Sequence, residues 1–225
     1  MSQLTLFAAG EERLVDDERG CVTYVPSFVD ASTAQAWFVE VRAGVEWRAE
    51  RRMMYDREVD VPRLMAHFRL DPAGSSVPRV VLDAVRLVSD RLHVPFNSVG
   101  LNLYRDGRDS VAPHNDHLNE IRKSFPIALV SLGATRRMTI RAKVQPRRTI
   151  HVDLEPGSLL VMDYATQLHY THGVPKTAES VGERISLAFR MRPAIGNAKA
   201  SGPAKAGHYE VTETNRRLAK AGHYK

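Results

Sequence analysis

The chain has 225 residues, a hydrophobic fraction of 43% and a formal net charge of +6. This length is sufficient for one domain with a substantial core. No apolar run approaches the roughly 18 residues that a membrane helix requires, and the first residues lack the basic start and apolar core of a signal peptide. The single cysteine, Cys21, excludes an internal disulfide and fits a reducing compartment, so we predict a cytoplasmic protein.

The positive charge is unevenly distributed along the chain. Residues 194–225 contain six Lys or Arg against two Glu, which accounts for +4 of the net +6. This segment is rich in Ala, Gly and Lys, and the sequence Ala-Lys-Ala-Gly-His-Tyr occurs twice in it, at 204–209 and 219–224. A short repeat with little apolar content predicts a disordered basic tail. We therefore predict an N-terminal arm over 1–20, a single domain over 21–193, and this tail.

The predicted domain begins with a strand and a helix. Residues 21–28 read as a short strand, and Asp30 can cap a helix over 31–42 whose apolar residues share one face. Pro78 begins a second helix that extends to about Leu92, with valines at helical spacing. Both apolar stripes indicate packing against a core.

Short strands separated by turn residues make up the rest of the domain. Such a series predicts a sandwich or a barrel. With the two helices as a buttress, we predict a mainly β fold of the α+β class with a double-stranded β-helix, or jelly-roll, core. The predicted strands cover residues 97–105, 125–132, 136–143, 149–154, 157–164, 169–174 and 184–191.

The segment between the two helices, residues 47–70, interleaves arginines with methionines and aromatic residues. Arginine binds phosphates, and apolar side chains stack on bases or wedge between them, so this pattern suits a nucleic-acid surface. A solvated arginine-rich loop accounts for it equally well. The same two interpretations apply to a second basic group on the later strands. The members of that group are Arg136, Arg137, Arg141, Lys143, Arg147 and Arg148.

His114 and Asp116 form a candidate metal-binding pair. Residues i and i+2 of an extended segment point to the same side, so both side chains can face inward from one strand end. His172 is the candidate third ligand. Two imidazoles and one carboxylate on one face of an ion are the ligand set of non-heme Fe(II) oxygenases. His117 and His169 are rival ligands, although His117 lies at an odd step from His114.

Two arginines, Arg184 and Arg190, flank an apolar run on the last predicted strand. An oxygenase with this metal site needs a dicarboxylate co-substrate. The planar guanidinium fork is suited to binding carboxylates. The two arginines therefore strengthen the oxygenase hypothesis.

In their order and spacing, these features resemble the AlkB-type dioxygenases, which are Fe(II)- and 2-oxoglutarate-dependent dealkylases of nucleic acids. The resemblance covers roughly residues 20–193, and an upstream Val61-Pro62-Arg63 matches the DNA-repair branch of that family. The blocks that carry it are residues 102–107, 114–116, 126–134, 157–162, 169–175 and 184–190.

The resemblance implies specific cofactors and roles. It implies Fe(II), 2-oxoglutarate and O2, with ascorbate as the reductant in vitro. Arg184 would bind the distal carboxylate of 2-oxoglutarate with a hydrogen bond from Tyr104, and Asn102 and Arg190 would bind the end near the metal. Ser186 stands where the family often has Asn, and it can still donate a hydrogen bond. The implied metal ligands are His114, Asp116 and His172, with the family's last ligand position on His172 rather than His169.

The same resemblance implies a substrate: N-alkylated bases in DNA, such as 1-methyladenine and 3-methylcytosine. The alkyl group would leave as an aldehyde while 2-oxoglutarate is converted to succinate and CO2. Residues 47–70 would form a lid that recognises the nucleotide. Its implied substrate contacts are Arg51, Arg52 and Arg63, together with Met53, Met54 and Tyr55, which fall where duplex-opening relatives carry a probing hairpin.

Leu118 departs from the family pattern. Nucleobase dealkylases commonly place Asp or Glu two residues after the metal carboxylate to contact the damaged base, and leucine cannot make that contact. The lid is also short. An oxygenase of the same fold that acts on RNA, protein, lipid or a small metabolite is therefore the alternative. A non-enzymatic jelly-roll module, or a cupin-like isomerase, would have no need of the metal ligands and both arginines together. We expect a monomer that binds alkylated DNA, with RNA as the alternative, and no membrane.

Overall fold

The computed structural model describes residues 10–54, 57–70 and 77–193, with the backbone alone at 52–54 and 57–59. The described helices are α1 (Ala31–Gly44), α2 (Arg79–Leu92) and α3 (Tyr164–His169), with a short 3-10 helix at Leu118–Glu120. The strands are β1 (Glu12–Asp17), β2 (Gly20–Val25), β3 (Arg48–Met54), β4 (Arg57–Arg69), β5 (Ser98–Tyr104), β6 (Val111–His114), β7 (Ile127–Gly133), β8 (Arg136–Ala142), β9 (Thr149–Leu154), β10 (Leu159–Met162), β11 (Tyr170–Val174) and β12 (Arg184–Arg190).

Within the described residues the strands form two antiparallel sheets. The larger sheet has the order β1-β2-β10-β7-β12-β5-β4-β3, and the smaller sheet has the order β6-β11-β8-β9. The predicted mainly β fold with a jelly-roll core is confirmed. Strand β12 lies at the centre of the larger sheet, between β7 and β5, and β11 lies between β6 and β8 in the smaller one.

The two long helices form where the sequence predicts them. Asp30 caps α1, since its side chain accepts a hydrogen bond of 2.8 Å from the backbone N–H of Thr33. Helix α2 begins directly after Pro78 and ends at His93, which adopts a left-handed conformation with a φ of 54°. In the part of the chain that the structure describes, no helix is long and apolar enough to cross a membrane.

Alternation along the central strands creates two cores. On β5, the side chains of Val99, Leu101 and Leu103 pack in a core with residues of α1 and α2. Tyr104, on the opposite face, packs in a second core with residues of the smaller sheet, such as Ile140. Because successive side chains point to opposite faces of a sheet, every even-numbered residue of β5 faces the smaller sheet. We call this the inner face of the larger sheet.

Three regions differ from the sequence-based expectations. Part of the predicted N-terminal arm is strand β1, which pairs with β2 because Val15 buries its side chain against the domain, with 1% exposed. The lid is a hairpin, β3–β4, that extends the larger sheet. The predicted strand over 157–164 ends at Met162, since Asp163 caps α3 by accepting a hydrogen bond from the Thr166 N–H at 2.9 Å. The predicted tail lies outside the described residues.

Candidate metal centre and co-substrate site

The structure brings the three predicted metal ligands together on the smaller sheet. His114 ends β6 and is paired in register with His172 on β11, with 4.5 Å between the two ring centroids. Asp116 follows β6, and its Oδ1 lies 4.0 Å from His114 Nε2. One ligand atom from each residue lies within 4.8 Å of the others. This is a compact set of two nitrogens and one oxygen, which matches a facial triad.

A glycine permits the close approach of the two strands that carry the histidines. A Cβ atom on Gly173 would lie 2.7 Å from the carbonyl oxygen of Val111 on β6. That distance is shorter than any ordinary contact, so a larger residue would push β6 and β11 apart. Gly173 therefore sets the separation of His114 and His172.

Neighbouring polar groups orient the ligands. The Nδ1 of His114 lies 3.0 Å from the carbonyl oxygen of Ala112, which favours a proton on Nδ1 and leaves Nε2 for a metal. The Asp116 backbone N–H donates to Gln167 Oε1 at 3.1 Å. Arg190 holds the Asp116 carboxylate through Nε at 2.6 Å and Nη2 at 3.1 Å. Gln167 was not among the predicted site residues; it is polar and buried, although it lies between Thr166 and exposed Leu168.

Asn115 also anchors the metal-ligand segment, and it too was missed. Its side-chain amide donates to the carbonyl oxygen of Tyr170 on β11. Its position between His114 and Asp116 was the available signal, because alternation points it away from the two ligands.

The electrostatics of the ligands suit a cation. Burial, together with nearby His114, lowers the pKa of His172 to about 3. Burial likewise lowers the pKa of His114. Burial acts to raise the pKa of Asp116, but the charge of Arg190 and its hydrogen bonds outweigh it, and the pKa is lowered. The site thus presents two neutral imidazoles and a carboxylate at neutral pH, the protonation states in which these side chains bind metals.

The rival histidines lie apart from this set. His117 is exposed and precedes the 3-10 helix, and His169 is the last residue of α3. Among the residues described, the group of possible metal ligands consists of His114, Asp116 and His172.

The predicted co-substrate residues share the inner face of the larger sheet. In the pairing of β5 with β12, Tyr104 lies opposite Arg184, and Asn102 lies opposite Ser186. Arg184 is 1% exposed, and its Cζ lies 5.2 Å from the centre of the Tyr104 ring. These four residues therefore lie next to one another on the inner face, opposite the smaller sheet that carries the metal ligands. We call them the co-substrate strip.

Arg184 has unused hydrogen-bonding capacity. Its Nη2 donates to Ser131 Oγ at 2.9 Å, whereas Nε and Nη1 are buried and have no hydrogen-bond partner in the described structure. Burial lowers the pKa of Arg184, which records the cost of keeping this charge away from water. A buried guanidinium with free N–H groups fits a carboxylate such as the distal end of 2-oxoglutarate. Ser131 was missed, although it is a polar residue within the apolar sequence of β7.

Arg136 does not lie where the sequence predicts the second basic group. It was expected on a solvent face or in a nucleic-acid groove, but it is 3% exposed. Its Nη1 donates to the carbonyl oxygen of Asp106 at 2.9 Å, and its Nη2 to those of Asp109 and Pro175 at 2.9 and 2.8 Å. Arg136 is therefore an internal anchor for two loops. Arg137 does face solvent, where it pairs with Asp153 at 2.8 Å.

The predicted substrate residues are distributed over the hairpin and the 3-10 helix. Arg51 is exposed, and its Nε lies 2.9 Å from Asp60 Oδ1. Arg63 turns into the site, where its Nε donates to Asn102 Oδ1 at 2.7 Å, so it lies beside the co-substrate strip. Leu118 is 38% exposed. Arg52, Met53 and Met54 belong to β3, but their side chains, like Tyr55, lie outside the described residues.

Comparisons with known proteins agree with this geometry. The family model of the 2OG-Fe(II) oxygenase superfamily matches residues 21–190. The Alpha-ketoglutarate-dependent dioxygenase alkB homolog 3 of Mus musculus is 30% identical over 219 residues, which covers 84% of this chain and 76% of that protein. The DNA oxidative demethylase ALKBH2 of Bos taurus is 37% identical over 117 residues, covering 49% of this chain and 41% of that protein.

A solved structure supports the fold. The structure of OsALKBH1 matches with a TM-score of 0.50 and 16% identity, covering 76% of this chain and 97% of that chain. At this identity the match concerns the fold alone. The family match over most of the chain, the similarity to the two curated relatives and the His-Asp-His geometry identify the family. The chain belongs to the AlkB-type 2-oxoglutarate- and Fe(II)-dependent oxygenases, and it is a dioxygenase that uses Fe(II), 2-oxoglutarate and O2.

Proposed function

We propose that this enzyme repairs DNA by oxidative dealkylation of N-alkylated bases such as 1-methyladenine and 3-methylcytosine. The observation that carries the proposal is the position of the arginine-rich hairpin. Arg63 on β4 reaches Asn102 in the co-substrate strip, so the hairpin borders the candidate active site directly. Arginines at the border of an active site favour a polyanionic substrate. The similarity to a DNA oxidative demethylase supports the same substrate class.

The chemistry divides between the cofactors and the chain. When bound, Fe(II), 2-oxoglutarate and O2 would supply the oxidising chemistry, in which one oxygen atom of O2 enters succinate as CO2 is lost and the other hydroxylates the alkyl carbon, which leaves as an aldehyde. His114, Asp116 and His172 would hold the metal. The protein otherwise contributes binding, orientation and the exclusion of water.

The inner face of the larger sheet would bind the co-substrate. Arg184 would bind the distal carboxylate through the N–H groups that now lack partners, with a hydrogen bond from Tyr104. Asn102, Ser186 and Arg190 would bind the end near the metal. Arg190 also orients the Asp116 carboxylate, so one residue would couple the metal ligand to the co-substrate.

A second function is favoured by one observation. Leu118 presents an exposed apolar side chain where base-binding relatives commonly have a carboxylate. An oxygenase of this fold that acts on RNA, protein, lipid or a small metabolite would have no use for that carboxylate. The cytoplasmic location and the monomeric state stay predictions.

Mass spectrometry of treated oligonucleotides tests the proposal. Single- and double-stranded DNA and RNA containing 1-methyladenine or 3-methylcytosine would be incubated with the enzyme, Fe(II), ascorbate and 2-oxoglutarate. We expect methyl groups to be lost from DNA in a reaction that requires both iron and 2-oxoglutarate. Loss from RNA alone, or succinate formation without any loss, would contradict DNA repair and favour the second function.

A further inference from the structure

The inner face of β4 carries a histidine at the edge of the candidate active site. Leu64, Ala66 and Phe68 pack against the core on the helix side of the larger sheet. Strand alternation therefore places His67 on the opposite face, as it does Arg63, which contacts Asn102. His67 is exposed and is paired in register with Gly100 of β5.

The next two positions after His67 in its row across the sheet carry small residues. Gly100 follows His67 across the sheet, and Ala188 of β12 follows Gly100. A Cβ atom on Gly100 would lie 3.5 Å from Arg190 Nη1 and 4.0 Å from His67 Nδ1. The same Arg190 holds the metal ligand Asp116 at 2.6 Å. The imidazole of His67 is therefore separated from the metal-ligand carboxylate by a single side chain.

The segment that follows the metal ligand Asp116 is attached to the end of β12, next to Arg190. Glu120, at the end of the 3-10 helix, pairs with Arg192 at 2.8 Å. The Arg122 N–H donates to the carbonyl oxygen of Met191 at 2.7 Å, which attaches this segment to the end of β12. The carboxylate of Glu120 is thus already engaged, and Leu118 on the same helix has no polar group to offer.

His67 retains free hydrogen-bonding capacity. Neither ring nitrogen makes a hydrogen bond to any residue in the described ranges. Although His67 is exposed, the surrounding protein partly desolvates its ring and lowers its pKa, and the charges of Arg192, Arg190 and Arg69 lower the pKa further against the opposing effect of Glu120. A neutral imidazole offers one donor and one acceptor, so it can match the edge of a nucleobase.

We propose that His67 is a specificity-determining residue, which hydrogen-bonds the polar edge of the alkylated base while the alkyl group faces the metal ligands. This inference rests on the proposed function. The exocyclic amine of 1-methyladenine or 3-methylcytosine lies next to the alkylated ring nitrogen. A polar side chain close to the metal site but not part of it is therefore placed to contact that edge, a role that Leu118 cannot fill.

Steady-state kinetics on methylated DNA oligonucleotides test this role. His67→Leu should raise KM for the oligonucleotide by about three- to tenfold, the effect of losing one neutral hydrogen bond. His67→Gln keeps a donor and an acceptor and should restore most of the wild-type KM. His151→Leu is the matched control, because His151 is an exposed histidine on β9, outside the described site, and its removal should leave KM unchanged.

Succinate formation without oligonucleotide, measured for every variant, distinguishes base binding by His67 from a structural role. An unchanged KM in His67→Leu, on a wild-type enzyme that demethylates DNA, would overturn the inference and leave the proposed function standing. An equal loss of succinate formation with and without oligonucleotide would show a structural role and would overturn it as well. If the wild-type enzyme removes no methyl group from DNA, the proposed function fails and the inference fails with it.

Discussion

Replacing Arg184 with methionine should stabilise the protein in the absence of 2-oxoglutarate while destroying its response to that co-substrate. The reason is a contrast between two buried arginines, Arg184 at 1% and Arg136 at 3% exposure. The terminal nitrogens of Arg136 donate to three backbone carbonyl oxygens. Arg184 donates to Ser131 alone through Nη2, and its Nε and Nη1 have no partner within the described residues.

The magnitude follows from the groups that are left without partners. Each of the two buried nitrogens without a partner destabilises the folded protein by about 1–3 kcal/mol, and the substitution removes this cost. The substitution also removes the hydrogen bond to Ser131, which destabilises the protein by about 1 kcal/mol. Loss of the contact between Arg184 and the Tyr104 ring reduces the gain in stability by about 1–2 kcal/mol more, the size of a buried cation–π contact. The middle of these ranges gives a net stabilisation of about 1–2 kcal/mol for Arg184→Met, or a rise in Tm of about 2–4 °C for each kcal/mol in a chain of this size.

Thermal unfolding with and without 2-oxoglutarate measures both effects. Wild-type enzyme should be stabilised by 2-oxoglutarate, whereas Arg184→Met should not respond, and its requirement for 2-oxoglutarate in turnover should rise by about two orders of magnitude or more. Arg136→Met is the matched control and should lower Tm. A lower Tm for Arg184→Met, like that of Arg136→Met, would show that the N–H groups without partners do not destabilise the protein. A retained response to 2-oxoglutarate would show that Arg184 does not bind it.

Substitutions at three further positions test the site and its support. Asp116→Ala should abolish iron-dependent succinate formation, and full activity would disprove the ligand assignment. Gly173→Ala should lower iron affinity and activity at least about tenfold, because the new methyl group meets the Val111 carbonyl oxygen; unchanged iron binding by titration would show that the strands yield. Burial raises the pKa of the Asp163 carboxyl, so its contribution to stability is lost as pH rises through that pKa. Asp163→Asn should therefore unfold at higher urea than wild type at pH 7, and Asp163→Ala at lower urea, since alanine loses the α3 cap; the reverse order would contradict this sign.

Most strands of the jelly-roll core and both long helices were predictable because their signals are local, whereas β1, β3, β4 and β6 were not predicted as strands. Strand alternation on β5 and β12, and the Asp30 cap of α1, depend on residues close in sequence. The His114–Asp116 spacing was likewise readable as a pair on one side of an extended segment.

Features that depend on distant partners were not predictable. The contacts of Arg136 with backbone carbonyls, and of Ser131 with Arg184, join residues separated by 27 to 53 positions. Alternation along β8 places Arg136 on the same face as buried Met138 and Ile140, but it does not show which groups satisfy a buried guanidinium. His67 escaped attention for a related reason: its position near Arg190 arises from sheet register across β4, β5 and β12.

The most direct test of the central claim is the molar ratio of formaldehyde to succinate produced from DNA oligonucleotides. With 1-methyladenine or 3-methylcytosine in the strand, we expect a ratio near one that depends on Fe(II) and 2-oxoglutarate, and no formaldehyde from the unmodified strand. Succinate without formaldehyde on every methylated strand would contradict the claim that this oxygenase dealkylates DNA.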